Sequence, residues 1–600
     1  MTDFDTLPDG EKFPFWDDKT VYTMVYHVAQ KNKKASDDNP GTEKEPFATI
    51  ERAAEKLRPG EKVIVHAGIY RECVRPKQGG KGPDQMIAYE KAKGEEVVIT
   101  GAEILTPLAK KSTGWNIPLP ANGGTIWMTD LPEDIFHAYN PFLVRNTYEH
   151  MFEFAQLQNP PWIKRALLRR GMIFYNGQLL TQVLQAKDLK QDGMFWVEES
   201  GLCIHFRLPG DAKPDLPMEI SVREQTFAPR ERGLGYIRVS GFTLEHAAGP
   251  LPVTQRGSLS TERGHHWIIE DCRVVWSNGV GIDIGLQNWD STFNGESGHH
   301  IIRRNNISHV GICGLTGAWG VVCSLIEDNI FEHIGYLNLE RIYECGGIKF
   351  HWAHNTLIRR NVFRHLVHAG GIWLDVGNVN NRMTNNVFVD IETLIGAVYS
   401  EMNFERNLVD HNVIWDIRSP ATDPASDDLG SGSGVGVRSD CNDLLEVNHN
   451  FIGKIEGYAI KFSLNQSGRD GGGRTGLCRA NAAHRNVIVG AAHRIHLSRR
   501  EENTSDQNLF DVRDDDRSFH IALPLPENFQ RLDSWQKYFN LDKRSAQACI
   551  TANFDAEKLI LTWNVEGKLP SEFPVPGPLN EKEWEKSLKG SSGKQMFPII

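Results

Sequence analysis

The chain has 600 residues, 40% hydrophobic and 24% charged, with a formal net charge of −11. That balance is ordinary for a folded soluble protein, and with no basic excess to meet phosphates, nucleic acid is excluded as a partner. No apolar run approaches bilayer-spanning length, so no membrane partner is expected. The acidic opening MTDFDTLPDGEKFPFWDDKT has no positive region followed by an apolar core, so a cytoplasmic location is expected. Nine cysteines without CxxC spacing read as buried free thiols rather than a disulfide or zinc framework.

In chain order, residues 1–20 read as an irregular arm and 21–28 as a strand. Ile50, Ala53, Ala54 and Leu57 fall at helical spacing, and Pro59-Gly60 stops that helix. Residues 62–66 and 96–101 read as strands of a first coil. Together, 1–104 form an N-terminal cap and opening coils, because the open end of a solenoid exposes core and unpaired edges. Residues 105–222 change character: GMIFYNGQLLTQV and GMFWVEESGLCIHFRL alternate apolar and polar positions around turns, which predicts an inserted antiparallel β-sandwich. Within it, 148–170 is irregular, with room for a helix.

From 223 to 515 the text repeats. GGIKFHW lies over GGIWLDV residue by residue, with an offset of 24 between His351 and Asp375. AVYSEMN follows, with Glu401 offset by 26 from Asp375. Between these strands run SLIEDNIF, TLIRRNVF, NRMTNNVF and NLVDHNVI, each carrying an Asn: Asn329, Asn361, Asn386 and Asn412. A period too short for a helix predicts an all-β fold, a right-handed parallel β-helix. The recurrent Asn suits an internal ladder at a turn. Residues 516–600 lose the period and read as a C-terminal cap and tail.

Alternation along GGIWLDV sends Ile372 and Leu374 inward and Trp373 and Asp375 outward. Residues in register on adjacent coils sit roughly 5 Å apart, so Asp375 and Glu401 become two outward carboxylates one strand spacing apart. Retaining glycosidases use carboxyl groups roughly 5–5.5 Å apart. His351, Lys349, Trp373 and Tyr399 share the face, offering polar groups for hydroxyls and rings for sugar faces. Glu344 reads as a turn residue or a substrate ligand, and Lys349 as a binding group or a salt-bridge partner of Asp375. Asn403, Trp352 and Trp289, the last in a long loop with Asp290, complete the expected contacts. The pairs His265-His266 and His299-His300 lack a third ligand at fixed spacing and read as strand histidines, so no metal and no cofactor is expected.

The ordered set NPGTEKEPFATIERAAE, PGEKVIVHAGIYRE, GLGYIRVSGFTLEHAAG, GGIKFH, GGIWLDV and SEMN, with the sandwich inserted, resembles glycoside hydrolase family 120 over about residues 22–540. The resemblance implies retaining β-xylosidase action on short xylo-oligosaccharides, at a site between β-helix and β-sandwich. It implies Asp375 as nucleophile and Glu401 as acid/base. The expected partner is a short neutral oligosaccharide, and a homo-oligomer is left open. Three readings compete: a lyase or epimerase on uronate polymers, another exo-glycosidase such as an arabinosidase or galactosidase, and a non-catalytic carbohydrate-binding solenoid. Two acids beside aromatic rings fit a neutral pentose better than a uronate.

Overall fold

The computed structural model describes residues 3–106, 108–113, 124–146, 167–208, 210, 212–250, 256–285, 297–337, 344–420, 434–464, 468–471, 473–499, 502–513, 517–523, 528–567, 569, 573, 575 and 577–597. The expected loop residues Trp289 and Asp290, most of 148–170 and most of the loop 419–432 lie outside them.

The molecule is a three-faced parallel β-helix. One coil shows the logic: Leu357–Arg359, Val362–Val367 and Gly370–Asp375 each pair in parallel with the equivalent strands of the coils before and after. Thirteen strands stack on the first face, from Met24–Val28 to Thr504–Asp506. Period-2 alternation, reset at the left-handed His365 (φ 55°), sends Ile358, Phe363, Leu366, Ile372 and Leu374 into one continuous core. Because equivalent residues lie one strand spacing apart, like stacks on like: the rings of Phe331, Phe363 and Phe388 follow one another at 4.8 Å and 5°.

The turns are held by asparagine. Asn305, Asn329, Asn361, Asn386, Asn412, Asn450, Asn486 and Asn508 form a ladder in which each backbone N–H donates to the next Asn Oδ1 at 2.9–3.0 Å. Each of these Nδ2 groups from Asn305 to Asn486 also donates to the next Oδ1, and another Nδ2 bond goes to a carbonyl of a preceding coil, as from Asn361 to Ile326. Buried amides are thereby satisfied where the chain turns and has no strand partner. A second, shorter ladder runs through Asn378, Asn403 and Asn442.

The ends are closed as a solenoid requires. Thr49 caps the helix Ile50–Lys56, its side chain accepting from Arg52 N, and Ile50, Ala53 and Ala54 enter the core. The N-terminal arm is irregular but tied down along the first face: Arg382 donates to the Asp3 and Thr6 carbonyls, Arg406 to the Pro8 carbonyl, and Arg303 pairs with Asp17. At the far end the helix Leu532–Phe539 inserts Trp535, whose Nε1 donates to Asp542 Oδ2 at 2.9 Å. Beyond it, the antiparallel strands Ala546–Asp555, Ile560–Glu566 and Gly593–Met596 cover the outer side of the second face, where Val387, Val413, Phe451 and Val487 point away from the core.

Between Thr100 and Val222 the chain leaves the solenoid and forms two facing sheets. Ala102–Leu105, Met218–Ser221, Ile173–Tyr175 and Gln178–Leu179 make one, and Lys110–Lys111, Trp127–Asp130, Cys203–Phe206, Met194–Val197 and Thr181–Val183 the other. Phe142, Ile173, Phe195, Ile204, Phe206 and Ile220 fill the space between. One pair, Thr181–Val183 on Met194–Val197, is parallel rather than antiparallel. Leu179-Leu180 carries the chain from one sheet to the other, so the next strand is reached through the 3-10 turn Ala186–Asp188 and not by a hairpin. The sandwich docks on the solenoid through Phe174 stacked on His246 at 3.9 Å, the Asn146–Asn278 amide pair and Tyr139 Oη donating to Ala248 O.

Candidate active site

On the third face two adjacent outward columns carry most of the chemistry. Ladder register aligns Thr316, Lys349, Trp373, Tyr399, Arg438 and Lys461 in one column, and Ala318, His351, Asp375, Glu401, Asp440 and Ser463 in the other. Asp375 and Glu401 are therefore direct partners on neighbouring parallel strands, about 4.8 Å apart in backbone spacing.

Their surroundings differ. Lys349 Nζ lies 3.0 Å and His351 Nε2 2.9 Å from Asp375 Oδ2. Burial opposes a charge on Asp375, but Lys349 and His351 outweigh it and hold the carboxyl well below the usual range. Lys349 is itself buried and stays charged through Glu344, 2.9 Å away, and Asp375. Its ammonium also lies 3.5 Å from the Trp373 ring centre. Glu401 is displaced the other way. Burial first, and then the Asp375 charge, push its carboxyl up to about 7, against the pull of Arg469. Two stacked acids are thus displaced in opposite directions, one held ionised and one able to hold a proton.

Lys349 and Glu344 form one ion pair behind Asp375, so Glu344 is more than a turn residue. The Trp373 and Tyr399 rings are tilted by 39° with centroids 5.2 Å apart, and Tyr399 carries Arg438 over its ring at 5.0 Å. Trp352 stacks on Trp319 at 4.7 Å and 9°, just beyond His351. Asn403 is a correction. It was expected to meet substrate, but it is fully buried, accepts from Asn378 N and Nδ2, and donates to Leu374 O and Ser400 Oγ. The cause is Met402, whose left-handed backbone (φ 51°) breaks the alternation and turns the next side chain inward.

Three residues of the site escaped the sequence reading: Arg438, Asp440 and Arg469. Asp440 continues the acid column, with Oδ2 3.3 Å from Arg438 Nη2, and the stretch GVGVRSD carries both at the positions that AVYSE uses for Tyr399 and Glu401. Arg469 reaches Glu401 from a glycine-rich hairpin outside the coil pattern. The histidine pairs form a stacked group on the first face, His266 on His299 at 4.5 Å and 6°. Among the described residues two clusters have metal-type side chains: Glu198, Cys203 and His205 in the sandwich, and Glu219, Glu245 and His246 at its seam with the solenoid. Protein groups already serve both: His205 bonds Ser112 and Glu198, and Glu219 pairs with Arg71 and His246.

The chain shares the fold of XylC, solved in complex with xylose. The two align with a TM-score of 0.69 and 21% identity over 96% of this chain and 95% of that one. A structure described as a glycoside hydrolase aligns at a TM-score of 0.49 and 13% identity, over 79% of this chain and 97% of that one. An uncharacterized protein, YwoF of Bacillus subtilis (strain 168), is 36% identical over 106 residues, a match that spans 15% of this chain and only 22% of that protein. No family model matches the sequence. Among the described residues no helix is long and apolar enough to cross a membrane.

Proposed function

We propose that this chain is a retaining glycoside hydrolase that releases xylose from the non-reducing end of β-1,4-xylo-oligosaccharides. The observation that carries the reading is the register of Asp375 on Glu401 with opposite electrostatic settings. One strand spacing suits the short carboxyl separation of retaining enzymes and leaves no room for a water between acid and sugar, as inversion needs. The motif resemblance to glycoside hydrolase family 120 and the fold shared with xylose-bound XylC support the sugar class.

In this reading Asp375 attacks the anomeric carbon while Glu401 gives its proton to the departing oxygen, and a glycosyl ester forms on Asp375. Esterification removes the Asp375 charge, so Glu401 becomes more acidic. It then takes a proton from water as the water oxygen attacks the anomeric carbon and the ester bond breaks. Lys349 and His351 keep the nucleophile ionised, and Trp373 and Tyr399 offer ring surface to the sugar.

The experiment is a screen with aryl glycosides of both anomers and several sugars, followed by proton NMR of the first-formed product. Turnover of the β-xyloside with β-xylose appearing first is expected. An α-configured first product, or unsaturated uronate absorbing at about 235 nm in place of released xylose, would replace this function with an inverting enzyme or a lyase.

A further inference from the structure

Every carboxylate of the acid column has a cation, but the cations differ in origin. Lys349, which serves Asp375, and Arg438, which serves Asp440, stand on the coil strands themselves. Arg469, which contacts Glu401 Oε1, comes from the hairpin Arg469–Gly471 and Arg474–Gly476 laid over the wall. The Arg469 side chain is 41% exposed, against 1% for Lys349 and 8% for Arg438. The hairpin rests on the strand end after Glu401: Gly471 packs beside Met402, Arg474 pairs with Glu405 and donates to Phe404 O, and Leu477 N donates to Asp443 Oδ1. Gly476 approaches the Cys441 carbonyl so closely that no side chain fits there.

This placement creates a conflict. A guanidinium on a carboxylate favours its ionised form. Glu401 must be protonated to expel the leaving group and ionised to activate water. The groups facing Glu401 are Asp375 and Asp440 on the strands at either side, Tyr399 and Arg438 in the neighbouring column, and Arg469 from the hairpin. Of these, the strand groups are fixed by the ladder, whereas Arg469 is a partly exposed side chain on a hairpin outside it.

Resting on the glycosidase reading above, we propose that Arg469 is a positioning residue that switches Glu401 between its two roles. With the leaving-group sugar in place Arg469 is displaced and Glu401 holds its proton. Glu401 passes that proton to the glycosidic oxygen as the bond to the anomeric carbon breaks and Asp375 takes up the glycosyl group. Once the leaving group departs, Arg469 returns to the new carboxylate and keeps it ionised, so that it accepts the proton of the attacking water.

The test uses Arg469→Met and Arg469→Lys in the full chain, with a 2,4-dinitrophenyl β-xyloside, which needs no proton to depart, and xylobiose, which does. For Arg469→Met the alkaline limb of kcat/KM on xylobiose moves to higher pH. On the dinitrophenyl substrate kcat falls about tenfold or more with a pre-steady-state burst, because deglycosylation slows. Arg469→Lys restores much of both. An unmoved alkaline limb with equal losses on the two substrates overturns the switch and leaves the glycosidase reading standing. Should Arg469→Met not fold, the neutral Arg469→Gln decides in its place: a limb superimposable on the unsubstituted protein overturns the proposal. Failure of the unsubstituted chain to turn over any aryl glycoside overturns the glycosidase reading and the switch with it.

Discussion

Lys349 and Asp375 are bonded at 3.0 Å across adjacent coils, and the same ammonium holds Glu344 at 2.9 Å. One buried cation therefore keeps two carboxylates apart from each other's repulsion. Lys349→Met is expected to leave both buried without it. The acid limb of the pH–rate profile then moves upward as Asp375 becomes harder to ionise. Unfolding free energy falls by about 3–5 kcal/mol, the usual cost of breaking one side of a buried pair. Rate profiles and denaturant titration read the two effects separately.

The pH dependence of the intact protein follows from the two acids. The active form has Asp375 ionised and Glu401 protonated. Because the Asp375 carboxyl is held well below its ordinary range, activity persists far into acid. Because Glu401 is pushed up to about 7, activity falls once the pH rises through that value. Loss approaches tenfold per pH unit on the alkaline side. Asp375→Asn removes the neighbouring charge and is expected to lower the Glu401 titration point, as read by carbon-13 NMR of labelled glutamate. An unchanged titration would mean that burial alone sets it.

The ladder assignment of Asn403 gives a contrast with a true substrate contact. Asn403→Ala strands donors and acceptors on Asn378 and Leu374 at about 1–3 kcal/mol each. Thermal stability is expected to drop while KM for folded protein stays unchanged. Asn386→Ala, one ladder over, behaves alike. A raised KM with unaltered stability would return Asn403 to the substrate.

Much of this site was legible in the residues because a solenoid turns sequence offset into spatial register. The steps of 24 and 26 from His351 to Asp375 to Glu401 are ladder pairs. Asn329, Asn361, Asn386 and Asn412 mark the same turn of four successive coils for the same reason. Legibility stopped where periodicity stopped. Asn403 lies past the left-handed Met402, where counting by twos no longer tells inside from outside. Arg469 arrives from a hairpin with no counterpart in other coils, so no overlay of repeats reaches it. The parallel pair in the sandwich depends on a sheet-to-sheet crossing at Leu179-Leu180, and short alternating strands do not encode their partners.

The far end of the solenoid depends on Trp535. It is fully buried against Phe519, with its indole N–H bonded to Asp542. Trp535→Ala opens the terminal coil and is expected to cost about 3–5 kcal/mol. Folded protein at low temperature should keep its kcat, since the cap touches neither acid. Calorimetry and initial rates on the same preparation make the comparison.

The central claim is that Asp375 is the group that bonds to sugar while its register partner Glu401 handles the proton. The most direct measurement is trapping with a 2-deoxy-2-fluoro-β-xylosyl fluoride, followed by proteolysis and mass spectrometry of the modified peptide. The expected result is one fluoroxylosyl group on the peptide GGIWLDV, at Asp375. An adduct on Glu401 or any other residue, or steady turnover of β-xylosides with no trapped ester, would contradict it.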